Sequence, residues 1–427
     1  MRAVKYCFLA ASMGLLLSML ASAENWPQFR GPTGQGESSG KALPIIWSST
    51  QNIAWKTPIP GTGWSSPIVW GDRVFVTSAT ENGASCHVLC VDRKSGKILW
   101  DTQVFNQTPT RKEGMNSWAT PTPSTDGQKV YAIFGEGGIA AVTFDGKVAW
   151  TNLDNHFYSR HGLGASPAIY KDLLIQNFDG STSDPHANEL LGWQIPWDQG
   201  YVLALDTDTG KQRWKTFRGK SRIGHTLPRF VEVDGKTQLI STAGDVVEGL
   251  DPETGRKIWW AFNEGETPVP SPVIGDGLLF TSPGFGAKSG PALRCWRLGG
   301  QGDVTKTNLV WQTKKGVPTI PSYLFHDHRL YAMKEDGVLQ CFEAATGKLL
   351  WKHRLEGTRY EASPVYADGK IYLLDEDAMT MVIDAGPTFK SLALNPLGGH
   401  CQASMAVSNG HFFIRTKDQL WCIGAGK

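Results

Sequence analysis

The segment Val202–Trp214, V-L-A-L-D-T-D-T-G-K-Q-R-W, recurs along the chain and restricts it to an architecture of stacked repeats. Its frame is a small residue, a spacer, an acid, two spacers, Thr or Ser, Gly, three spacers and Trp. Ala204–Trp214 is matched in this frame by Cys90–Trp100, Gly249–Trp259 and Cys341–Trp351. The apolar residues before Asp206 describe a strand. Asp206 turns the chain by accepting hydrogen bonds from backbone N–H groups two or three residues on, and Gly210 supplies a turn position with φ above zero. A second strand ends on Trp214, which sets the indole at a fixed height on an outer strand, where its apolar face covers the neighbouring unit. Such a hairpin cannot bury its own apolar face, so the copies must pack on one another.

Each unit opens on a short apolar strand. The openings are Ser66-Pro67, Thr122-Pro123, Ser166-Pro167, Leu227-Pro228, Ser271-Pro272, Pro321-Ser322, Ser363-Pro364 and Ser404-Met405. Eight openings, with 48 Gly and 24 Pro to make the turns, predict an all-β, eight-bladed β-propeller with four-stranded blades. The Thr-Gly turn is lost in blades two and five, and blade seven is expected to end near Phe389 without its Trp. The last unit, Met405–Ile423, has three strands. An orphan outer strand, Asn52–Thr57, carries Trp55-Lys56-Thr57 in the manner of Trp214-Lys215-Thr216. The N-terminal strand therefore completes the last blade, closes the ring and removes its exposed edges.

The expected organisation is a signal peptide over 1–23, an extended N-terminal segment over 24–51 and the propeller over 52–427. Arg2 and Lys5, an apolar run from Phe8 to Leu20, and Ala21-Ser22-Ala23 have the pattern of a secretory signal, which predicts a periplasmic or secreted protein with no transmembrane segment in the mature chain. Removing that signal takes the 42 Lys and Arg down to 40, level with the 40 Asp and Glu. A neutral chain lacks the basic footprint of a nucleic-acid binder. Cys90, Cys295, Cys341 and Cys422 occupy the small position of the frame, where other units have Ala141, Ala204, Gly249 and Val382, and read as buried small residues. Cys86 and Cys401 fall outside the frame on adjacent blades, as a disulfide or as two free thiols.

These residues resemble the pyrroloquinoline-quinone (PQQ) repeat family, whose tryptophan-docking motif A-x-D-x-x-T-G-x-x-x-W is matched at every fixed position by Ala204–Trp214. The resemblance covers about Ile53 to Gly424, and W-P-Q-F-R-G-P at Trp26–Pro32 looks like the opening of secreted bacterial members. It implies a propeller and two kinds of function. The family includes quinoprotein alcohol and glucose dehydrogenases, and also scaffolds that bind no quinone, such as the lipoprotein of outer-membrane barrel assembly. The chain lacks the adjacent Cys-Cys pair and the length of the large alcohol dehydrogenases, and the lipid-anchor signal of the scaffold.

The loops opening the blades, and those between second and third strands, are expected on one face around the channel. They bring Trp64, Trp118, Arg160, His161, His225 and Arg359 to one rim, where Arg pairs carboxylates and Trp offers a stacking face. The bland alternative is that these loops plug the channel. The blade-three insertion, Asp179–Asp198, holds Asp179, Asp184, His186, Glu189, Trp193 and Trp197, and reads as a lid, a Ca²⁺ loop or a solvated surface loop. No H-E-x-x-H, phosphate loop or G-x-S-x-G is present. The expected function is a binding or scaffold module for a protein, peptide or carbohydrate ligand on the channel face. The alternative is a PQQ- and calcium-dependent dehydrogenase of an alcohol or sugar.

Overall fold

The computed structural model describes residues 24–110, 112–157, 159, 161–179, 198–282, 284–285 and 291–424. They form eight antiparallel four-stranded sheets arranged as blades, two of which gain a two-residue fifth strand. Blade three shows the pattern, with Ala168–Tyr170 innermost, then Leu173–Phe178, Tyr201–Asp206 and, outermost, Gln212–Phe217. Its second strand is buried throughout and its third nearly so, because both faces lie against neighbouring blades, whereas in the outer strand only Trp214 is buried. This explains why the central strands read as continuous apolar runs.

The recurrent frame is the joint between blades. Asp206 Oδ1 accepts from the N–H of Asp208 (3.1 Å) and of Thr209 (2.9 Å) and from the Thr209 hydroxyl (2.8 Å). Gly210 sits at φ 70°, and a Cβ there would lie 2.4 Å from the Trp150 ring of the preceding blade. Only glycine satisfies both the turn and that approach. The small residue stands directly opposite the Trp in each pair: Ala204 faces Trp214, Cys90 faces Trp100 and Cys341 faces Trp351. Each indole then donates to a turn carbonyl of the following blade, as in Trp100 to Phe144 (3.0 Å), Trp150 to Thr207 (2.9 Å), Trp214 to Pro252 (3.1 Å) and Trp311 to Ala344 (2.9 Å).

Trp259 and Trp351 depart from this pattern. Trp259 faces blade five, whose Thr-Gly turn is missing, and bonds instead to Gln238 Oε1 of its own blade (2.8 Å). Trp351 faces blade seven, packs edge-on to Phe389 at 5.7 Å, and leaves its buried Nε1 without a partner. Blade seven itself does not end near Phe389. Its outer strand is Ser391–Pro396, with Ala393 opposite Val382 where other blades place Trp, so the strand lacks the residue by which it was sought.

The ring closes through the N-terminal strand. Ile53–Pro58 pairs antiparallel with Gln419–Ile423, Trp55 faces Cys422, and the Trp55 indole donates to Arg93 O of blade one (2.8 Å). Arg415, fully buried, clasps the same seam by donating to Ser65 Oγ (2.7 Å) and Thr77 O (2.6 Å). All six described cysteines are buried free thiols, so Cys86 and Cys401 are not joined. Cys86 lies within blade one opposite Ala79, and the Cys401 thiol donates to Arg415 O.

The segment before the propeller crosses one end of the channel. Trp26 exchanges backbone bonds with Val69 of blade one, and Pro27 O accepts from Thr125 of blade two. Gln35 pairs with Ile274 of blade five (2.6 and 2.9 Å), and Glu37–Ser38 adds a parallel strand to blade seven. Arg30, buried, donates to Tyr323 O of blade six (2.7 Å). A run without repeat periodicity is thus the floor of the channel.

Candidate functional site

Above that floor lies a cavity of about 460 Å³ at the centre of the ring. Phe29, one residue before the anchoring Arg30, forms its base. Its wall begins with the opening residues of the blades, whose hydroxyls form a belt. The Ser66 N–H donates to Thr122 Oγ1 (2.9 Å) and the Thr122 N–H to Ser166 Oγ (2.9 Å). The belt resumes with Leu227 to Ser271 (3.0 Å), Ser271 to Ser322 (3.0 Å), Ser322 to Ser363 (3.1 Å) and Ser363 to Ser404 (2.9 Å). Each hydroxyl stitches one blade to the next as an acceptor and keeps its own proton for another group. The belt is interrupted at Leu227, which has no hydroxyl to offer Ser166.

Higher up, Trp64, Asn116, His161, His225, Glu361 and Gln402 line the cavity, while Met115 and Phe285, 44% and 43% exposed, stand at its mouth. Of the six side chains expected at one rim, the structure brings together Trp64, His161 and His225. Trp64 meets His400 edge-on at 5.3 Å, and the rings of His161 and His225 lie edge to face at 6.3 Å. Trp118 is not among the lining residues. Its ring covers Gly83 and Gly135, where an added Cβ would lie 1.9 and 2.6 Å away, so it is a packing residue between blades one and two. Arg359 is not among the lining residues either, and is held by Glu361, which is, at 2.7 Å and by Glu376 at 3.5 Å. Arg160 lies outside the described residues.

Burial governs the electrostatics. His225 is 8% exposed, neither ring nitrogen has a hydrogen-bond partner among the described residues, and desolvation, aided by His161, lowers its pKa to about 3. It is a neutral imidazole with one donor and one acceptor unused. Thr267, on the adjoining wall, is 4% exposed with its hydroxyl also unpartnered, and its φ of 55° is in the left-handed region that a β-branched residue seldom enters. The two are tied together by the His225 N–H to Pro268 O bond (2.8 Å). Each buried polar group left unmade in this way costs about 1–3 kcal/mol. Beside Glu361 and Arg359, Glu376 is pushed up to about 7 by burial and by the neighbouring Glu361 carboxylate.

Of the acidic and aromatic residues singled out in the blade-three insertion, only Asp179 is among the described residues. Asp179 is buried in a bidentate pair with Arg218, which also reaches Glu248 (2.8 Å), so its carboxylate is already engaged rather than offered to Ca²⁺. Asp184, His186, Glu189, Trp193 and Trp197, and with them the proposed lid, lie outside the described residues. Among the described residues no cluster of three or more His, Cys, Asp or Glu is placed to hold a metal ion. Sequence reasoning missed Phe29, Glu113, Thr267 and the belt. The Ser-Pro openings were the visible trace of the belt, but they read as strand starts.

With this geometry the chain can be set beside known proteins. The sequence profile of the family described as outer membrane protein assembly factor BamB matches residues 38–153, 195–285 and 301–386. Tetrathionate hydrolase of Acidithiobacillus ferrooxidans is 24% identical over 209 residues, covering 41% of this chain and 38% of that protein. Polyvinylalcohol dehydrogenase of Sphingopyxis sp. is 26% identical over 208 residues, covering 46% of this chain and 29% of that protein. The chain thus spans well under half the length of these curated relatives. The crystal structure of BamB from Moraxella catarrhalis superposes with a TM-score of 0.58 at 13% identity, over 87% of this chain and 99% of that one, which is a likeness of fold. The profile covers well over half of the residues, and together with the ring of eight blades it shows that the chain belongs to the PQQ-repeat β-propeller family.

Proposed function

We propose that this propeller is an exported binding module that takes its ligand in the channel cavity on the loop face. The observation that carries the reading is the cup itself. The chain's own N-terminal segment floors the channel with Phe29, and the opposite end reaches the surface at Met115 and Phe285. A cavity of about 460 Å³ is in the range of small-molecule sites, roughly 300–1,000 Å³, and also accommodates one side chain or sugar of a larger partner. Export rests on the signal-like pattern of residues 1–23. No helix among the described residues is long and apolar enough to cross a membrane.

A second reading, a PQQ-dependent dehydrogenase, draws on the partial similarity to polyvinylalcohol dehydrogenase. The lining residues fit that quinone poorly. PQQ carries three carboxylates, while the described lining contributes the carboxylates of Glu113 and Glu361 and no Lys or Arg. Arg359 is already paired with Glu361 and Glu376.

The test is a thermal-shift screen of mature protein against saccharides, peptides, and PQQ with and without Ca²⁺, run beside Gly164→Val. A Cβ at Gly164 would stand 3.4 Å from His225, so valine fills that side of the cavity. Shifts lost in Gly164→Val support the cavity as the site, and shifts indifferent to it overturn this reading. Saturable, Ca²⁺-dependent binding of PQQ with dye-linked alcohol oxidation would favour the dehydrogenase instead.

A further inference from the structure

We infer that the ligand of the channel cavity is a neutral polyhydroxylated molecule, a saccharide or polyol, with His225 and Thr267 as its anchoring side chains. The inference rests on the reading that the cavity is the ligand site, and adds the chemistry that the site selects.

The wall between blades four and five is built for hydrogen bonds that the protein does not make. His225 is more than nine-tenths buried against Phe157 (6.4 Å between rings), and both of its nitrogens lack partners among the described residues. His225 is nonetheless a lining residue of the cavity, and its imidazole turns about Cβ–Cγ, a broad and soft torsion. Thr267 beside it has its hydroxyl unmade and its backbone in the left-handed region. Gly284 packs closely on it, since a Cβ there would lie only 2.3 Å from Thr267 O. Strained residues with unmade hydrogen bonds gather where a ligand completes them. The belt of hydroxyls is also broken beside His225, between Ser166 of blade three and Leu227 of blade four.

The type of partner follows from what faces the cavity. The belt hydroxyls accept from backbone and can donate inward, the imidazole is neutral and offers one donor and one acceptor, and Glu361 accepts. No lysine or arginine is among the described lining residues, so an anion finds no counter-charge there. A hydroxyl group both donates and accepts, and a ring bearing several of them matches such a wall. Its C–H face packs on aromatic rings, which Phe29, Trp64 and Phe285 supply.

The experiment is isothermal titration calorimetry of the mature full chain with glucose, maltose and sorbitol, and with PQQ and glucuronate as anionic probes. Wild type is compared with His225→Leu, His225→Gln, Thr267→Val and Gly164→Val, and the melting temperature of each variant is taken without ligand. We expect at least one neutral probe to bind. Its Kd should weaken about tenfold in His225→Leu and in Thr267→Val, as for one lost hydrogen bond. His225→Gln keeps a donor and an acceptor and should stay within a fewfold of wild type, while Gly164→Val should abolish binding. His225→Leu and Thr267→Val, having lost an unmade polar group, should melt no lower than wild type, which separates loss of binding from loss of fold. Binding of anionic probes alone, blocked by Gly164→Val, would overturn the ligand class and leave the cavity as the site. Neutral probes that bind equally to His225→Leu and Thr267→Val would overturn the anchoring role. No binding by any probe would overturn both the inference and the reading beneath it.

Discussion

Trp214→Phe and Trp351→Phe make the same chemical change at two blade joints that the structure makes unequal. Trp214 is 8% exposed, and its indole donates to the buried Pro252 of the next blade at 3.1 Å. Phenylalanine there loses that bond, about 1 kcal/mol, and leaves the carbonyl unpaired, for a total of roughly 2–3 kcal/mol. Trp351 has no partner for its buried Nε1 and stacks edge-on against Phe389. Phenylalanine there removes an unmade donor, so its lost ring area is offset and the net change is within about 1 kcal/mol of zero. Trp351 is only part-buried, so the ring area lost there is no larger than at Trp214 and does not narrow the difference. With an unfolding entropy of about 2.1 cal/mol/K per residue over about 400 residues, 1 kcal/mol corresponds to roughly 1.2 °C, so the melting temperatures should differ by about 2–4 °C. Calorimetric scans at one rate and one protein concentration measure it. Equal melting temperatures, or a lower one for Trp351→Phe, would refute the argument that the indole N–H bond to the next blade is what holds the joint.

Three further outcomes follow from the same structure. Trp55→Ala deletes a core side chain at the ring closure, at about 3–5 kcal/mol, and should lower the melting temperature by roughly 4–6 °C, with early proteolysis at residues 52–58. His225 has its pKa lowered from 6.5 to about 3, so the unfolded chain binds the proton first; stability is lost as pH falls from about 6.5 toward 3, and His225→Leu should flatten that limb of the pH–melting profile. Glu376 has its pKa raised from 4.5 to about 7, so its contribution is full below 4.5 and is lost as pH rises through 7; in Glu376→Gln, melting temperatures on either side of that window should converge.

The architecture was legible because the joint between blades needs three things close together in sequence: a small residue, a tight turn and a Trp at fixed spacing. Where a joint lacks one of them, as at Ala393 in blade seven, the boundary was missed. The ring closure was legible because Trp55 carries the local signature of an outer strand. The site was legible only in part. His161, His225 and Trp64 stood out as polar or aromatic residues in loops. Trp118 stood out for the same reason, yet its neighbours Gly83 and Gly135 are fixed by the fold and turn it into packing. Phe29 enters the cavity because a segment without periodicity crosses the ring. Thr267 is an ordinary threonine until its φ and its unmade hydroxyl are known. Arg359 was placed on the rim as a partner for carboxylates, and the structure pairs it with Glu361 of its own loop and Glu376 of another.

The claim on which the account depends is that the floored channel is where a ligand binds. A crystal structure of the mature protein soaked with the tightest-binding saccharide or polyol tests it most directly. We predict ligand density above Phe29, with hydroxyls in hydrogen-bond distance of His225, Thr267 and Glu361. Density on the outer strands, or a cavity filled only by waters that satisfy His225 and Thr267 while the soaked molecule sits elsewhere, would contradict it.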